Sequence, residues 1–253
     1  MTYRSAQNRR PFDPLLLVNA AHPLSQGPLP DLVPVDDAHP DILLERRAAG
    51  LLRACIQAVG GRGRIVPVSG WRSQAEQQAI WDDTLRTEGE AFTRQYVALP
   101  GCSEHQTGLA IDLGLAAPHI DFIRPHFPED GVCGAFRRQA PRYGFVLRYP
   151  AGKEAVTGIA HEPWHFRYVG VPHGAAMTAL DLTLEEYLEF LTQYPVGGKP
   201  FVFEREGRSF ELSYCAGSAS ALPPPEAGEH RLVSADNRGG SILTRWWEGG
   251  RTA

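Results

Sequence analysis

Three short segments of this chain carry side chains that could do chemistry together. The first, GCSEHQTGLAIDLG, places His105 seven residues before Asp112 with Gly108 between them. The spacing predicts a loop for the histidine and a strand for the aspartate, and the glycine lets the chain turn so that both face one point. An imidazole nitrogen and a carboxylate oxygen are suitable zinc ligands. Taken alone, the pair reads more readily as a surface histidine and an aspartate capping a turn.

The second segment, HEPWHFRYVG, spans residues 161–170 and matches the H-E-x-x-H pattern letter by letter. On a helix that pattern gives two ligands on one face and a general base. Pro163 rules the helix out, because proline in a helix interior removes a hydrogen bond and clashes with the preceding turn. Phe166, Tyr168 and Val169 favour a strand. The better reading takes His165 as a third ligand and Glu162 as a carboxylate beside an open metal position, with His161 hydrogen-bonded or packed nearby. The third segment, VSGWRSQAEQQ, sets Arg72 just before a helix start capped by Ser73 and Glu76. A helix N-terminus with an added guanidinium makes an anion-binding corner. An isolated surface arginine making a weak ion pair is the ordinary alternative.

The three segments mean more together. Two histidines, one carboxylate and a spare glutamate match a catalytic zinc site that keeps one position open for water. In their order, SGWRS, SEHQTGLAIDLG and EPWHFRYVG resemble the zinc D-Ala-D-Ala peptidases of vancomycin resistance and peptidoglycan trimming, the VanY-type D,D-carboxypeptidases and the dual VanXY-type enzymes. The resemblance covers roughly residues 12–172, with LLLVNAAHPL similar to the family's N-terminal segment and the tail similar to an extension of its longer members. It implies zinc ligation by His105, Asp112 and His165, and Glu162 as catalytic base. It also implies that Arg72 binds the scissile carbonyl oxygen and that Ser103 and Gln77 contact the substrate. That substrate would be D-Ala-D-Ala itself or a peptidoglycan precursor pentapeptide ending in it. Trp71 departs from the tyrosine common at that place but keeps an aromatic ring. A related stem-peptide endopeptidase and an inert zinc-containing binding module are the competing readings. Glu162 and Arg72 argue against the inert module, since a structural zinc needs neither.

Positioning these side chains requires a set of short elements. Apolar residues Ile42, Leu43, Leu51, Leu52, Cys55, Ile56 and Val59 fall at helical spacing, stopped by Gly60–Gly61. RIVPVSG reads as a buried strand, SQAEQQAIWDDTLRTEG as a helix opened by a capping box, and CGAFRRQAPRYG as a helix. GLAIDLG, GFVLRY and HFRYVG read as strands. Beyond residue 180, Thr183 and Glu186 form a second capping box ahead of the apolar face Leu184, Tyr187, Leu188 and Leu191. Alternating segments about Glu206–Gly207 and Arg238–Gly240 predict hairpins. The expected class is α+β: a small mixed or antiparallel sheet with flanking helices carrying the zinc site, plus a small helix-and-strand appendage. The expected division is an extended N-terminal segment over 1–40, anchored by Leu15 to Val18, a catalytic domain over 41–180, and an extension over 181–253.

Composition narrows the function classes. The 253 residues are 43% hydrophobic and 21% charged, ordinary for a globular protein. The net charge of −4 speaks against a general nucleic-acid binder, which needs a basic face. Only Lys153 and Lys199 are lysines among 25 basic residues, a bias that fits GC-rich codons and is no evidence for a phosphate site. The N-terminus has no apolar stretch of the roughly 7–15 residues a signal peptide needs, nor the ~20 of a membrane span. Four scattered cysteines suit a reducing compartment, so the cytoplasm is expected, with the cell wall as the alternative had a leader been removed. Histidines 22, 39, 119, 126, 173 and 230 have no partner at ligand spacing and are expected on the surface.

Overall fold

The computed structural model describes residues 12–25, 27–217 and 222–248. Its centre is a four-stranded antiparallel sheet made of β3 (Ile65–Ser69), β4 (Ala110–Leu115), β5 (Phe145–Leu147) and β6 (His165–Tyr168). These run in the order β3-β4-β6-β5. Helix α1 (Arg46–Ala58) and α4 (Gly131–Gln139) pack one face of this sheet. Leu52, Cys55, Ile65, Ile111, Leu113, Phe136 and Phe166 fill the space between. Helices α2 (Gln74–Glu88) and α3 (Glu90–Tyr96) follow β3, and their Gln77, Ile80 and Tyr96 line a cleft together with Asp112 of β4 and His165 of β6. Ser73 caps α2 in a full capping box with Glu76, as its sequence predicts.

The helix expected from Ile42 onward starts later. His39–Glu45 is instead strand β2, paired antiparallel with β1 (Leu32–Asp36). Pro40 removes a backbone donor near its start, and Glu45 opens α1 by accepting from the backbone N–H groups of Arg47 and Ala48. The lead-in is thus less irregular than its proline content suggests. Its apolar anchor behaves as expected: Leu15, Leu17 and Val18 are almost wholly buried.

After a four-residue helix α5 (Glu154–Thr157), the chain passes through α6 (Val171–Leu180) and α7 (Leu184–Leu191) into a second antiparallel sheet. Its strands β7 (Phe201–Arg205), β8 (Arg208–Ala216), β9 (Glu229–Ala235) and β10 (Gly240–Trp247) run in the order β7-β8-β10-β9. Thr183 and Glu186 form the expected capping box of α7, and Leu184, Tyr187, Leu188 and Leu191 are fully buried. Glu206 and Gly207 both take positive φ, 50° and 76°, which turns β7 into β8 with the twist a tight hairpin needs.

The second core is shared rather than private to the extension. Leu15 and Leu17 from the lead-in and Val146 and Val169 from around the central sheet pack with α7, Phe210, Leu212 and Ile242. His173, expected on the surface, is fully buried here. Its Nδ1 lies 2.9 Å from the Tyr187 hydroxyl and its Nε2 2.9 Å from Thr244 Oγ1, so one ring ties α6, α7 and β10 together. Burial pushes its pKa down to about 3, which keeps it neutral.

Candidate active site

Two of the site's side chains come from the central sheet's register. Asp112 on β4 is the cross-strand partner of His165 on β6. His105 arrives from the short 3-10 turn Glu104–Thr107, which Gly108 ends at φ 73° before β4 begins. A Cβ at Gly108 would stand 2.9 Å from Leu32 Cδ2, so both the turn and the close approach of β1 call for glycine.

The three residues meet. His105 Nε2 lies 3.2 Å from Asp112 Oδ2, and His165 Nδ1 lies 3.0 Å from Asp112 Oδ1. One donor atom from each of the three falls within 4.8 Å of the others, and all three side chains are buried. Asp112 Oδ1 has no aligned hydrogen-bond donor despite its burial. Nearness without a hydrogen bond suits donor atoms that converge on a cation, and a buried, unsatisfied carboxylate oxygen is otherwise costly. The set is able to hold a metal ion. His161 stays outside it, its Nδ1 3.0 Å from the Tyr149 carbonyl oxygen, and His165 sits on a strand, so the helical H-E-x-x-H arrangement is absent.

Each imidazole is oriented by its other nitrogen. His105 Nδ1 is 2.6 Å from the Gly70 carbonyl oxygen, which leaves Nε2 toward Asp112. Gly70 itself packs so tightly on the Leu43 carbonyl that a Cβ would collide with it. His165 presents Nε2 to Glu104 Oε2 at 3.7 Å. Sequence reasoning missed Glu104, which is fully buried between Arg148 Nε at 2.8 Å and Arg167 Nη1 at 2.9 Å. A signal was available: Arg148 and Arg167 interrupt the apolar strand segments GFVLRY and HFRYVG, and a buried guanidinium demands a carboxylate.

Burial and charge set the protonation states. Burial, then the charge of Arg72, lowers His105 to a pKa of about 4, so its imidazole is neutral at pH 7. Burial also works against charge on His165, but Asp112 and Glu104 outweigh it and raise the ring to about 9. Although burial opposes it, the two histidines hold Asp112 well below the usual carboxylate range. Burial pushes Glu162 up to about 8. Its Oε2 lies 3.6 Å from His165 Nδ1, at the edge of the donor cluster.

The remaining expected residues line the same cleft, with Tyr96, Phe122, Tyr149 and Trp164 among its walls. Arg72 lies three residues past the end of β3. Its Nη2 stands 3.9 Å from Asp112 Oδ2, and its Nε is buried without a partner. Ser103 and Gln77 are buried in the cleft lining. Gln77 Nε2 donates to the Ala98 carbonyl at 2.8 Å, while its Oε1 has no partner.

Comparison with known proteins gives this arrangement a family. Residues 41–171 match the VanY model, described as D-alanyl-D-alanine carboxypeptidase. The bifunctional D-Ala-D-Ala dipeptidase and D-Ala-D-Ala carboxypeptidase VanXYC of Enterococcus gallinarum is 46% identical over 183 residues, 71% of this chain and 95% of that protein. The vancomycin resistance D,D-dipeptidase VanXYg, solved with a D-Ala-D-Ala phosphinate analogue, superposes with a TM-score of 0.89 at 46% identity. That match covers 92% of this chain and 94% of the other, and so takes in much of the extension. A mutant of the D,D-pentapeptidase VanY in complex with Zn(II) matches at TM-score 0.57 and 29% identity over 69% of this chain and 98% of that one. The chain therefore belongs to the VanY family of D-alanyl-D-alanine carboxypeptidases.

Proposed function

We propose that this protein hydrolyses the terminal D-Ala-D-Ala bond, as a D,D-carboxypeptidase on peptidoglycan precursor peptides and as a D,D-dipeptidase on the free dipeptide. The observation that carries the reading is the convergence of His105, Asp112 and His165 with Glu162 and Arg72 at one buried end of a cleft. Dual action is supported by the high identity to VanXYC along almost its whole length.

Zn²⁺ is the metal we assign, because two imidazoles and one carboxylate are one of its catalytic donor sets. When bound, such an ion polarises a carbonyl and lowers the pKa of water at the open position to about 7. His105, Asp112 and His165 would hold it, each fixed by the contacts described above. Glu162 takes the proton of the attacking water and delivers it to the leaving D-alanine nitrogen. Its burial keeps its proton affinity near neutral pH, which suits a group that must both accept and donate. Arg72, confined beside Asp112, places a permanent positive charge where negative charge develops on the scissile carbonyl oxygen. Ser103 and Gln77 hold the terminal D-alanine near its carboxylate. Four cysteines scattered along the chain, with no dense framework, support a reducing compartment, and among the described residues no helix is long and apolar enough to cross a membrane.

The test is D-alanine release from D-Ala-D-Ala and from a pentapeptide ending in it, with zinc and after chelation. Zinc-dependent release from either substrate is expected. Zinc binding without release from either would favour the inert binding module, and cleavage confined to internal stem-peptide bonds would favour the endopeptidase.

A further inference from the structure

The ion pair behind His165 does not end at Glu104. Arg148 is 1% exposed and uses its whole guanidinium. Its Nε donates to Glu104 Oε1 at 2.8 Å, while Nη1 and Nη2 form a two-pronged pair with Glu185, at 2.8 and 2.6 Å. Glu185 lies in the first turn of α7, beyond the central sheet and at the start of the extension. Asn19 of the lead-in donates to it from the other side at 3.2 Å.

Charge balance gives this chain of contacts its consequence. Glu104 and Glu185 together offset Arg148 and Arg167, all four of them mostly or wholly withdrawn from solvent. Without Glu185 the cluster holds one surplus positive charge, directly behind a residue of a cation site. Glu104 would then be drawn further onto the arginines. At the other end of the chain, Glu104 Oε2 and His165 Nε2 face each other at 3.7 Å as an ion pair, both buried and neither with a hydrogen-bond partner. A carboxylate behind a ligand imidazole fixes its tautomer and orientation.

We propose that Glu185 is a positioning residue for the metal centre: through Arg148 and Glu104 it holds His165 with Nδ1 toward Asp112, so that α7 completes the ligand set from outside it. This rests on the metal-centre reading given above and assigns the extension a task within it. The arrangement explains why a helix outside the central sheet sends a carboxylate inward to a buried arginine.

The experiment compares the full-length protein with Glu185→Gln, which keeps the shape and removes the charge. Apparent Zn²⁺ affinity is measured by competition with a chromophoric chelator, and the visible spectrum of the Co²⁺ form is recorded. Glu185→Gln is expected to bind about tenfold more weakly, at the low end of the roughly 10–100-fold range for outer-shell partners, with a shifted Co²⁺ spectrum. Glu185→Asp, which restores the charge, is expected to recover most of the loss. Glu186→Gln removes the ion pair of the same helix with Lys153 without touching the chain of contacts, and is expected to bind metal as the wild type does. A folded Glu185→Gln protein with wild-type affinity and an unchanged Co²⁺ spectrum overturns the proposal, as does an equal loss in Glu186→Gln. Should Glu185→Gln not fold, Glu104→Asp decides: it keeps every charge but draws the carboxylate back from His165, and wild-type affinity there overturns the relay. A wild type that binds no metal is a different failure, since it removes the metal-centre reading itself.

Discussion

Asp112 and His165 are directly opposed across the β4–β6 ladder, and their side chains meet at 3.0 Å. Strand register therefore brings together two of the three residues of the candidate metal cluster, because residues opposed in a ladder share a face. A slip of one residue would turn one of them to the other side of the sheet. His105 is added from the turn before β4, only seven residues from Asp112, so the centre depends on one short loop and one strand pair.

Glu162 is expected to separate catalysis from metal binding. It lies at the edge of the donor cluster, and Glu162→Gln removes the proton acceptor while leaving His105, Asp112 and His165 in place. D-alanine release should fall about 10²–10⁴-fold, with zinc content near the wild-type value. Normal turnover in this variant would place the base elsewhere.

Arg72 should act on rate more than on metal. Arg72→Ala removes a positive charge from the cleft, and loss of one such stabilising group commonly costs about 10²–10³-fold in kcat. The measurement is a kcat and KM determination on D-Ala-D-Ala beside a zinc assay. A change confined to KM would show that Arg72 only binds the ground state.

His173 makes the join between the extension and α6 sensitive to acid. Its folded pKa of about 3 lies below the ordinary value of 6.5. Between those values the unfolded chain gains a proton that the native protein does not, so stability falls as pH drops from about 6.5 toward 3. The slope from this one group reaches about 1.4 kcal/mol per pH unit. His173→Gln removes that contribution. Urea unfolding at pH 7 and pH 5 should show the wild type losing more stability than the variant, and equal losses would contradict a buried neutral ring.

Much of the candidate site could be read from the chain because the residues that converge there lie in compact segments. SEHQTGLAID and EPWHF hold the residues of the candidate cluster and the glutamate within a few residues of each other, and Pro163 is enough to exclude the helical alternative. The capping boxes at Ser73 and Thr183 were legible for the same reason: their partners are three residues away. What stayed hidden depends on distant partners. Glu104 and Arg148 are 44 residues apart, Arg148 and Glu185 37, and His173 reaches Thr244 across 71. Periodicity also misassigned Ile42 and Leu43, because a strand leading straight into a helix offers apolar residues that fit either pattern.

The most direct test of the metal centre is zinc content per chain after exhaustive dialysis, for the wild type and for Asp112→Ala. One equivalent in the wild type and none in the folded variant is the predicted result. Zinc absent from the wild type, or retained in full without Asp112, would contradict the three-residue centre on which the proposed chemistry stands.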